Sequence, residues 1–369
     1  MNAFAPARCP RLIVKIGSSL LVGGDGALRR DWLATLAADI ADRVRAGQQV
    51  AVVSSGAIAL GARRLGLAKG GRATLEDAQA AAATGQIALA QGWAEAFVAQ
   101  GLTAAQMLVT LDDLEDRRRY LNAAATLGRL LALGVVPIIN ENDSVATEEI
   151  RFGDNDRLAA RVAQAAGAQG VILFSDVDGL YDRNPTDPAA TFIDRVDAII
   201  PAIEAMAGGT TGVGTGGMAA KVAAARIATA AGVTLAIASG HGDHPLARFA
   251  STGRGTIFTA DRTTPARKAW LAGGLTARGE VRIDAGAVAA LASGKSLLPA
   301  GATQIAGSFA RGDLVAVVGP DGRPVARGFS EYDAADAARI AGKRSDQLAD
   351  ILGYAPRACL VHRNHMALL

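Results

Sequence analysis

Five short apolar runs, separated by alanine-rich segments, constrain the fold more than any other feature of this sequence. The runs are RLIVKIG, QVAVVSS, GVVPIIN, GVILFSD and VTLAIAS. They are almost continuously apolar, whereas a strand with one face in water alternates between apolar and polar residues. Strands buried on both faces of a parallel sheet have this character. The runs therefore predict a sheet that is covered on both sides.

The segments between the runs favour helices, which we predict at 30–46, 57–67, 75–100, 114–133, 156–166 and 218–231. Strands that alternate with helices along a chain indicate an α/β fold with a mostly parallel sheet sandwiched by helices. The length of 369 residues suggests two domains. After residue 280 the units become shorter, and GPDGRP marks a turn between strands predicted at 314–318 and 325–329. This pattern indicates a second, small β-rich domain.

Bulk composition excludes several classes of protein. A net charge of +3 argues against a broad nucleic-acid-binding surface. Cys9 and Cys359 lie near opposite ends without the spacing of metal ligands, which favours free thiols in a reducing compartment. No apolar run reaches the ~18 residues needed to span a bilayer, and the first residues lack the pattern of a signal peptide. We therefore expect a cytoplasmic protein that does not enter a membrane.

Polar residues end four of the five apolar runs. They occur in KIGSS, SSGAI, NENDS and SDVDGLYDRNP, in chain order. Since the carboxyl ends of parallel strands share one edge of a sheet, where ligands bind, the four clusters are expected to converge. Lys15 lies inside the first run, and a lysine is almost never buried without a partner.

A glycine-rich loop precedes a predicted helix that carries Lys221 in its first turn. Six glycines fall between Gly208 and Gly217. The helix dipole disfavours a cation at that end, unless an anion is bound by the loop N–H groups and the helix terminus. Lys15 would then be a second cation for the same anion. The alternative is a surface loop with a solvated lysine.

The segment FGDND starts another predicted helix. Asp154 or Asn155 suits the cap position, and Asp156 suits the first turn. Capping explains all three residues, but two carboxylates and an amide beside NEND could equally orient cations or receive an ammonium group. The pattern GVGTGG matches a dinucleotide-binding motif, yet the segment before it looks helical instead of extended, so we set that interpretation aside.

Taken together, the motifs resemble those of bacterial glutamate 5-kinases, a family of the amino acid kinase superfamily, in the long form with a C-terminal PUA domain. KIGSS, VSSGAI, INEND, FGDND, FSDVDGLYD and GTGGMAAK follow the family's order and spacing, and GKSLLPAG, GDLVAVV, ARGFSEY and ILGY resemble the PUA extension. The resemblance implies an amino acid kinase domain over 8–260 and a PUA domain over 278–357.

The activity that this resemblance implies is ATP-dependent phosphorylation of the γ-carboxylate of L-glutamate. The product is γ-glutamyl phosphate, the first intermediate of proline biosynthesis. The resemblance also implies Mg²⁺ with the ATP, feedback inhibition by proline and a homo-oligomer. PUA domains often bind RNA, although the sequence gives no independent support for RNA binding here.

The resemblance also implies roles for individual residues. Lys15 and Lys221 would be catalytic and contact the ATP phosphates, and Asp156 would organise both lysines. Glutamate would be held by Ser55, Asp143 and Asn155. The ATP-binding residues would be Lys15, Ser175, Asp176, Thr215, Gly216, Gly217, Met218, Ala219, Ala220 and Lys221, with no residue reserved for a metal ion. Ala220 departs from the family, which usually has Thr or Ser before this lysine.

Two rival functions stay open at this point. A sister kinase of the superfamily could act on acetylglutamate, aspartate, carbamate or UMP, although INEND together with a PUA extension favours glutamate. An RNA-binding or RNA-modifying protein is the rival from another class. The modest net charge and the phosphate-type loop in the larger domain argue against that reading.

Overall fold

The computed structural model describes residues 3–145, 154–208, 217–260 and 277–369. The chain divides into two compact units, residues 1–261 and 262–369. The limits predicted for the two domains, 8–260 and 278–357, remain predictions. Within the described ranges, no helix is both long and apolar enough to cross a membrane.

The large unit alternates strands and helices along most of its length. Its strands are β1 (Arg11–Ile16), β2 (Gln49–Ser54), β3 (Ala104–Val109), β4 (Val136–Glu141), β5 (Gly170–Ser175), β6 (Leu180–Tyr181), β7 (Phe192–Ile193), β8 (Arg195–Val196), β9 (Thr234–Ser239) and β10 (Thr256–Phe258). Its helices are α1 (Ser18–Leu21), α2 (Arg30–Arg45), α3 (Ala57–Leu65), α4 (Leu75–Val98), α5 (Leu111–Glu115), α6 (Arg117–Ala132), α7 (Asp154–Ala166), α8 (Pro201–Met206), α9 (Met218–Ala230) and α10 (Pro245–Thr252). A short 3-10 turn covers Ala68–Gly71.

Eight of these strands form one sheet in the order β3-β4-β2-β1-β5-β9-β10-β8. The six strands from β3 to β9 run parallel, and β10 runs antiparallel to β9. Strands β6 and β7 pair separately as a small antiparallel hairpin. The five apolar runs form β1, β2, β4, β5 and β9, so the prediction of a mostly parallel sheet between helices is confirmed.

Two local predictions differ from the structure. The edge strand β3 was missed because its residues are mostly half-exposed or exposed, so they do not form a continuous apolar run. The single helix predicted at 114–133 is two helices, α5 and α6, separated at Asp116. The backbone of Asp116 is extended, and its side chain accepts a hydrogen bond from the N–H of Arg119, which starts a new helix.

The two faces of the sheet have separate apolar layers. On one face Leu12, Val14 and Ile16 of β1 belong to a core with residues of α2 and α4. On the other face Ile13 belongs to a core with residues of α6, α7 and α9. Since successive strand residues point to opposite faces, Lys15 lies on the same side as Ile13, the side that α7 and α9 cover.

The small unit is built on a five-stranded sheet. Its strands are β11 (Gly279–Ile283), β12 (Ala302–Gly307), β13 (Leu314–Val318), β14 (Pro324–Ser330) and β15 (Val361–Leu368), in the order β12-β11-β13-β14-β15. Its helices are α11 (Ala285–Ala292), α12 (Ala334–Ile340) and α13 (Leu348–Leu352), with 3-10 turns at Pro299–Gly301 and Ser345–Gln347.

The β-rich character predicted for the small unit is confirmed. The N–H of Gly319 bonds to the carbonyl of Arg323 and closes the turn predicted between β13 and β14. The small unit also contains helices α11 and α13, which the β-rich pattern of its sequence did not indicate. Asp284 caps α11 by accepting from the N–H of Ala287. Strand β15 lies after residue 357 and pairs with β14.

Helices α3 and α4 cross at two glycines without any side chain between their backbones. A Cβ at Gly61 would overlap the carbonyl oxygen of Ala81, and a Cβ at Gly85 would overlap the carbonyl oxygen of Ala57. A real side chain at either position forces the helices apart, because neither carbonyl can move without its helix. The crossing matters for the site described below, since α3 follows the end of β2 directly.

We therefore predict that Gly85→Ala destabilises the large unit. Overpacking of this kind costs about 1–3 kcal/mol or more, and it exceeds the gain of up to about 1 kcal/mol that alanine gives over glycine in a helix. Urea unfolding measures the difference. The matched control is Gly128→Ala in α6, where a Cβ meets open space; this variant is expected to be as stable as the wild type or more so. Equal stability of both variants would contradict the tight crossing.

Candidate active site

Two lysines share one aspartate in the interior of the large unit. Lys15 Nζ lies 2.5 Å from Asp156 Oδ1, and Lys221 Nζ lies 3.2 Å from Asp156 Oδ2. The exposed fractions are 6% for Lys15, 0% for Asp156 and 6% for Lys221. The fold thus brings together three side chains whose first and last members, Lys15 and Lys221, are 206 positions apart in the sequence.

Three different elements deliver the members of this triad. Lys15 is the last residue but one of β1, Asp156 is in the first turn of α7, and Lys221 is in the first turn of α9. Helices α7 and α9 cover the face of the sheet to which Lys15 points. A carboxylate in the first turn of α7 is favoured by the helix dipole, whereas the cation in the first turn of α9 is not.

The triad carries a net positive charge in a place that water hardly reaches. Burial alone would raise the pKa of Asp156, but the positive charges of Lys15 and Lys221 outweigh that effect and hold the pKa below its usual value. Asp156 is therefore ionised at neutral pH, and the three side chains sum to +1. A buried charge needs a partner, so an anion is the natural complement of this group. The N-terminus of α9 beside it attracts the same kind of ligand.

The structure decides between the two interpretations of Lys221. A solvated surface lysine would be exposed, but this side chain is buried and ion-paired. Gly217 stands at the cap position of α9, and Met218, Ala219 and Ala220 complete its first turn with Lys221. Thr215 and Gly216 lie outside the described residues, which lack all of residues 209–216 of the glycine-rich loop.

A second polar cluster forms where β2, β4 and α7 meet. The side-chain amide of Asn155 donates to Ser55 Oγ at 2.7 Å and lies 3.1 Å from Asn140 Oδ1. Asn140 in turn donates to Gln86 Oε1 at 2.8 Å. The Oδ1 atom of Asn155 is buried and has no hydrogen-bond partner among the described residues. The cluster therefore keeps one acceptor available for a ligand.

Asp143 lies beside this cluster and is 9% exposed. It lines a cavity of about 300 Å³ together with Gln86 and Asn142. Partial burial lowers the pKa of Arg72, and the carboxylate of Asp143 opposes this shift, so the two charges are neighbours. Gln86 lines the cavity and accepts a hydrogen bond from Asn140, so a chain of hydrogen bonds links the cavity wall to Asn155 and Ser55.

Ser175 and Asp176 stand at the end of β5, on the other side of β1 from β2 and β4. Ser175 is buried, its hydroxyl donates to Asp176 Oδ1 at 2.8 Å, and its carbonyl accepts from the N–H of Gly240. In the pairing of β1 with β5, Lys15 of β1 lies opposite Leu173 of β5. The polar ends of β1, β2, β4 and β5 thus share one edge of the sheet, as predicted.

Sequence reasoning missed the contribution of helix α4. Gln86 binds Asn140, and Trp93 donates from Nε1 to Ser54 Oγ at 2.9 Å, which anchors the end of β2. Both residues belong to an apolar, alanine-rich helix that looked purely structural. Gln86, a polar residue within the mostly apolar stretch AAAATGQIALA, is the signal that could have indicated a role beyond packing.

Two family profiles match the chain. The profile of the Amino acid kinase family matches residues 10–239, and that of the PUA domain matches residues 279–352. The first match covers most of the large unit, including the three residues of the triad, and the second covers four of the five strands of the small unit, β11 to β14.

Individual relatives agree with the profiles. Glutamate 5-kinase of Sphingopyxis alaskensis is 72% identical over the full length of both chains. Glutamate 5-kinase of Zymomonas mobilis is 62% identical over 99% of this chain and 93% of its own. A solved UMP kinase of Ureaplasma parvum aligns with a TM-score of 0.47 at 14% identity, over 68% of this chain and 98% of its own, and this likeness carries no argument about function. The chain belongs to the amino acid kinase family and, within it, to the glutamate 5-kinases that carry a C-terminal PUA domain.

Proposed function

We propose that this protein transfers the γ-phosphoryl group of ATP to the γ-carboxylate of L-glutamate, forming γ-glutamyl phosphate and ADP in the first step of proline biosynthesis. The observation that carries the proposal is the buried triad with its net charge of +1. The glutamate 5-kinases that the chain resembles over its full length support the choice of acceptor.

The triad suits this reaction because its difficulty is electrostatic. A carboxylate is already a nucleophile, so the enzyme needs no general base to activate it. The obstacle is to bring an anion up to a polyanion and to stabilise the charge that spreads over the phosphoryl oxygens. Lys15 and Lys221 stabilise that charge from fixed positions. Asp156 orients both ammonium groups, and its single negative charge leaves the triad at +1.

The polar cluster and Asp143 suit the recognition of an amino acid. The Asp143 carboxylate can pair with the α-ammonium group of glutamate, and the open acceptor Oδ1 of Asn155 can take one of its N–H groups. The Ser55 hydroxyl and backbone N–H groups after β2 suit the carboxylates. These donors and acceptors stand beside the triad because β2 neighbours β1.

ATP enters as its magnesium complex. Mg²⁺ usually keeps several waters and is bound through substrate phosphates with one or two carboxylates. Over the described ranges, no three His, Cys, Asp or Glu side chains converge as a metal-binding group. In this proposal Mg²⁺ belongs to the MgATP substrate, and Ser175, Asp176 and the first turn of α9 bind the nucleotide.

The decisive experiment measures ADP release that depends on L-glutamate, with the acyl phosphate trapped as a hydroxamate. A panel with aspartate, acetylglutamate, carbamate and UMP tests the sister activities in parallel. We expect hydroxamate formation with glutamate and little with the other acceptors. Turnover of another acceptor without product from glutamate would reject the proposal.

We predict that Lys221→Met lowers kcat strongly and leaves folding intact. Loss of one preorganised electrostatic contact typically costs about 10²–10³ in kcat, or roughly 2.7–4 kcal/mol. The KM for ATP is expected to change less, since Lys15 and the helix terminus still bind the ground-state phosphates. Steady-state kinetics and thermal unfolding measure both effects.

A matched control for this prediction is Lys295→Met, at an exposed lysine of the small unit. It removes the same charge and is expected to keep wild-type kcat. Thermal stability of Lys221→Met should be preserved, because Asp156 keeps its closer partner Lys15. A kcat within about twofold of wild type would show that Lys221 has no role in the transfer.

Asp143→Asn is predicted to raise the KM for glutamate by a factor of about 30 or more, because removing one member of a buried charge pair costs about 2–5 kcal/mol. The variant keeps the shape of the side chain and loses only its charge. The KM for ATP serves as the internal control and is expected to stay within about twofold. An equal rise of both constants would place Asp143 outside the glutamate subsite.

We further propose that proline inhibits the enzyme at or overlapping the glutamate subsite. Proline carries an α-carboxylate and a positively charged α-nitrogen, a secondary ammonium in its ring, so a subsite that recognises such groups through Asp143 can accept both amino acids. Inhibition should then be competitive with glutamate and weaken in Asp143→Asn. Unchanged activity in the presence of proline, measured near the KM of glutamate, would contradict this.

We also propose a homo-oligomer. Helix α4 leaves Ile87 and Val98 69% and 70% exposed, which is costly for large apolar side chains in water. Light scattering on the purified full chain determines the oligomeric state, and a monomer at micromolar concentration would reject the proposal.

A further inference from the structure

We propose that Arg254 is a positioning residue for the nucleotide subsite, and that it acts by holding the segment 176–181 that follows β5. This inference rests on the function proposed above. Arg254 lies far along the chain from the phosphate-binding motifs, and neither composition nor motif spacing singles it out. Its role comes from the contacts that it makes in the folded large unit.

Arg254 contacts the segment through an ion pair, hydrogen bonds and a neighbouring aromatic ring. Its Nε donates to Asp178 Oδ2 at 2.9 Å, and its Nη2 donates to the Tyr181 hydroxyl at 3.0 Å. The Tyr181 hydroxyl lies 3.2 Å from Asp178 Oδ1 and can donate to it, so the three polar groups close a ring of hydrogen bonds. The guanidinium also stands 3.6 Å from the ring centre of Phe192, which packs edge-on against the Tyr181 ring.

Thr256, two residues after Arg254 in the sequence, contacts the same segment at Leu180. Its hydroxyl accepts from the N–H of Leu180 at 2.7 Å and donates to the carbonyl of Ile193 at 2.6 Å. Gly179 lies against it with a φ of +153°, and a Cβ there would meet Thr256 Oγ1 at 2.6 Å. The path of the chain from Asp178 to Leu180 is thus determined by residues 254–256.

The direction of β10 explains why residues so late in the chain reach this place. Strand β10 runs antiparallel to β9, with Thr256 opposite Ile237 and Phe258 opposite Leu235. The start of β10, not its end, therefore lies toward the ligand-binding edge of the parallel strands. Arg254 lies two residues before the strand and so stands beside the segment that leaves β5 at that edge.

The order of the strands assigns this segment to the nucleotide and not to the acceptor. The groups assigned to glutamate come from β2, β4 and the helices beside them, on one side of β1. Strand β5 lies on the other side of β1, together with β9. Asp176 begins the segment that Arg254 holds, and its carboxylate is bonded to Ser175. A change at Arg254 should therefore affect ATP and spare glutamate.

The contacts of Arg254 are too exposed to matter much for overall stability. Its side chain is 50% exposed and that of Asp178 is 33% exposed. Ion pairs at such positions contribute little to the free energy of unfolding, because water and salt screen them. Their effect is local: they keep one conformation of residues 176–181 populated before the nucleotide arrives.

The test compares Arg254→Ala and Arg254→Lys with the wild type in the full-length protein. If loss of the anchor leaves the binding conformation in about a fifth to a tenth of the molecules, the KM for ATP rises about five- to tenfold. The KM for glutamate and the kcat at saturating ATP stay within about twofold. Arg254→Lys keeps the charge but cannot contact Asp178 and Tyr181 with a planar fork, so it gives an intermediate rise.

Two controls separate positioning from a general structural effect. Arg195→Ala removes another exposed arginine, paired with Asp197 at 2.7 Å on the neighbouring strand β8, and should leave both KM values unchanged. Tyr181→Phe removes one partner of Arg254. In a double-mutant cycle its effect on the KM for ATP should be smaller in the Arg254→Ala background than in the wild type.

Direct ADP binding by calorimetry keeps this inference apart from the proposed function, because it needs no turnover. A weaker ADP affinity in Arg254→Ala, with unchanged thermal stability, supports the positioning role. An ADP affinity equal to wild type overturns it, and so does an equal rise of the KM for both substrates. Wild-type protein that binds ADP but forms no product from glutamate would contradict the proposed function alone.

Discussion

The site of this protein depends on one buried ion-pair network with unbalanced charge, in which two lysines share a single carboxylate. A balanced pair of Lys15 and Asp156 would need nothing more, whereas the addition of Lys221 leaves one positive charge inside the protein. Burial of a charge costs free energy. The fold must therefore hold the two ammonium groups in place firmly enough that they do not rotate out toward solvent. It does so by taking each member from a different rigid element, β1, α7 and α9.

In the proposed function, the order of the strands places this group between two subsites. Strand β1 lies near the middle of the large sheet, with β2 and β4 on one side and β5 and β9 on the other. Amino acid recognition is assigned to the first side and nucleotide recognition to the second, so Lys15 stands where an acceptor and a phosphoryl group would meet. Each proposed subsite has a supporting contact next to it: Trp93 donates to Ser54 on the amino acid side, and Arg254 donates to Asp178 on the nucleotide side.

The main strands and the convergence of polar residues could be predicted because both follow from local patterns. A continuous apolar run identifies a strand covered on both faces, and parallel strands end at one edge. The edge strand β3 could not be predicted in this way, since its half-exposed residues leave no such run. The contacts of Arg254 could not be predicted either, because they depend on the reversed direction of β10, which no neighbouring residue in the sequence indicates. Gln86 gave only one signal, a polar residue within an apolar stretch of helix, and its contact with Asn140 depends on how that helix packs.

The surplus charge of the triad has a consequence for how the purified protein behaves. Any small anion that enters the site relieves an electrostatic cost that the ligand-free fold carries, and a ligand that binds only the folded state raises the melting temperature in proportion to the logarithm of its concentration. Inorganic phosphate or sulfate in a storage buffer would then act as a stabiliser and, at the same time, as a competitor of the nucleotide. The choice of buffer is therefore itself a variable of this active site.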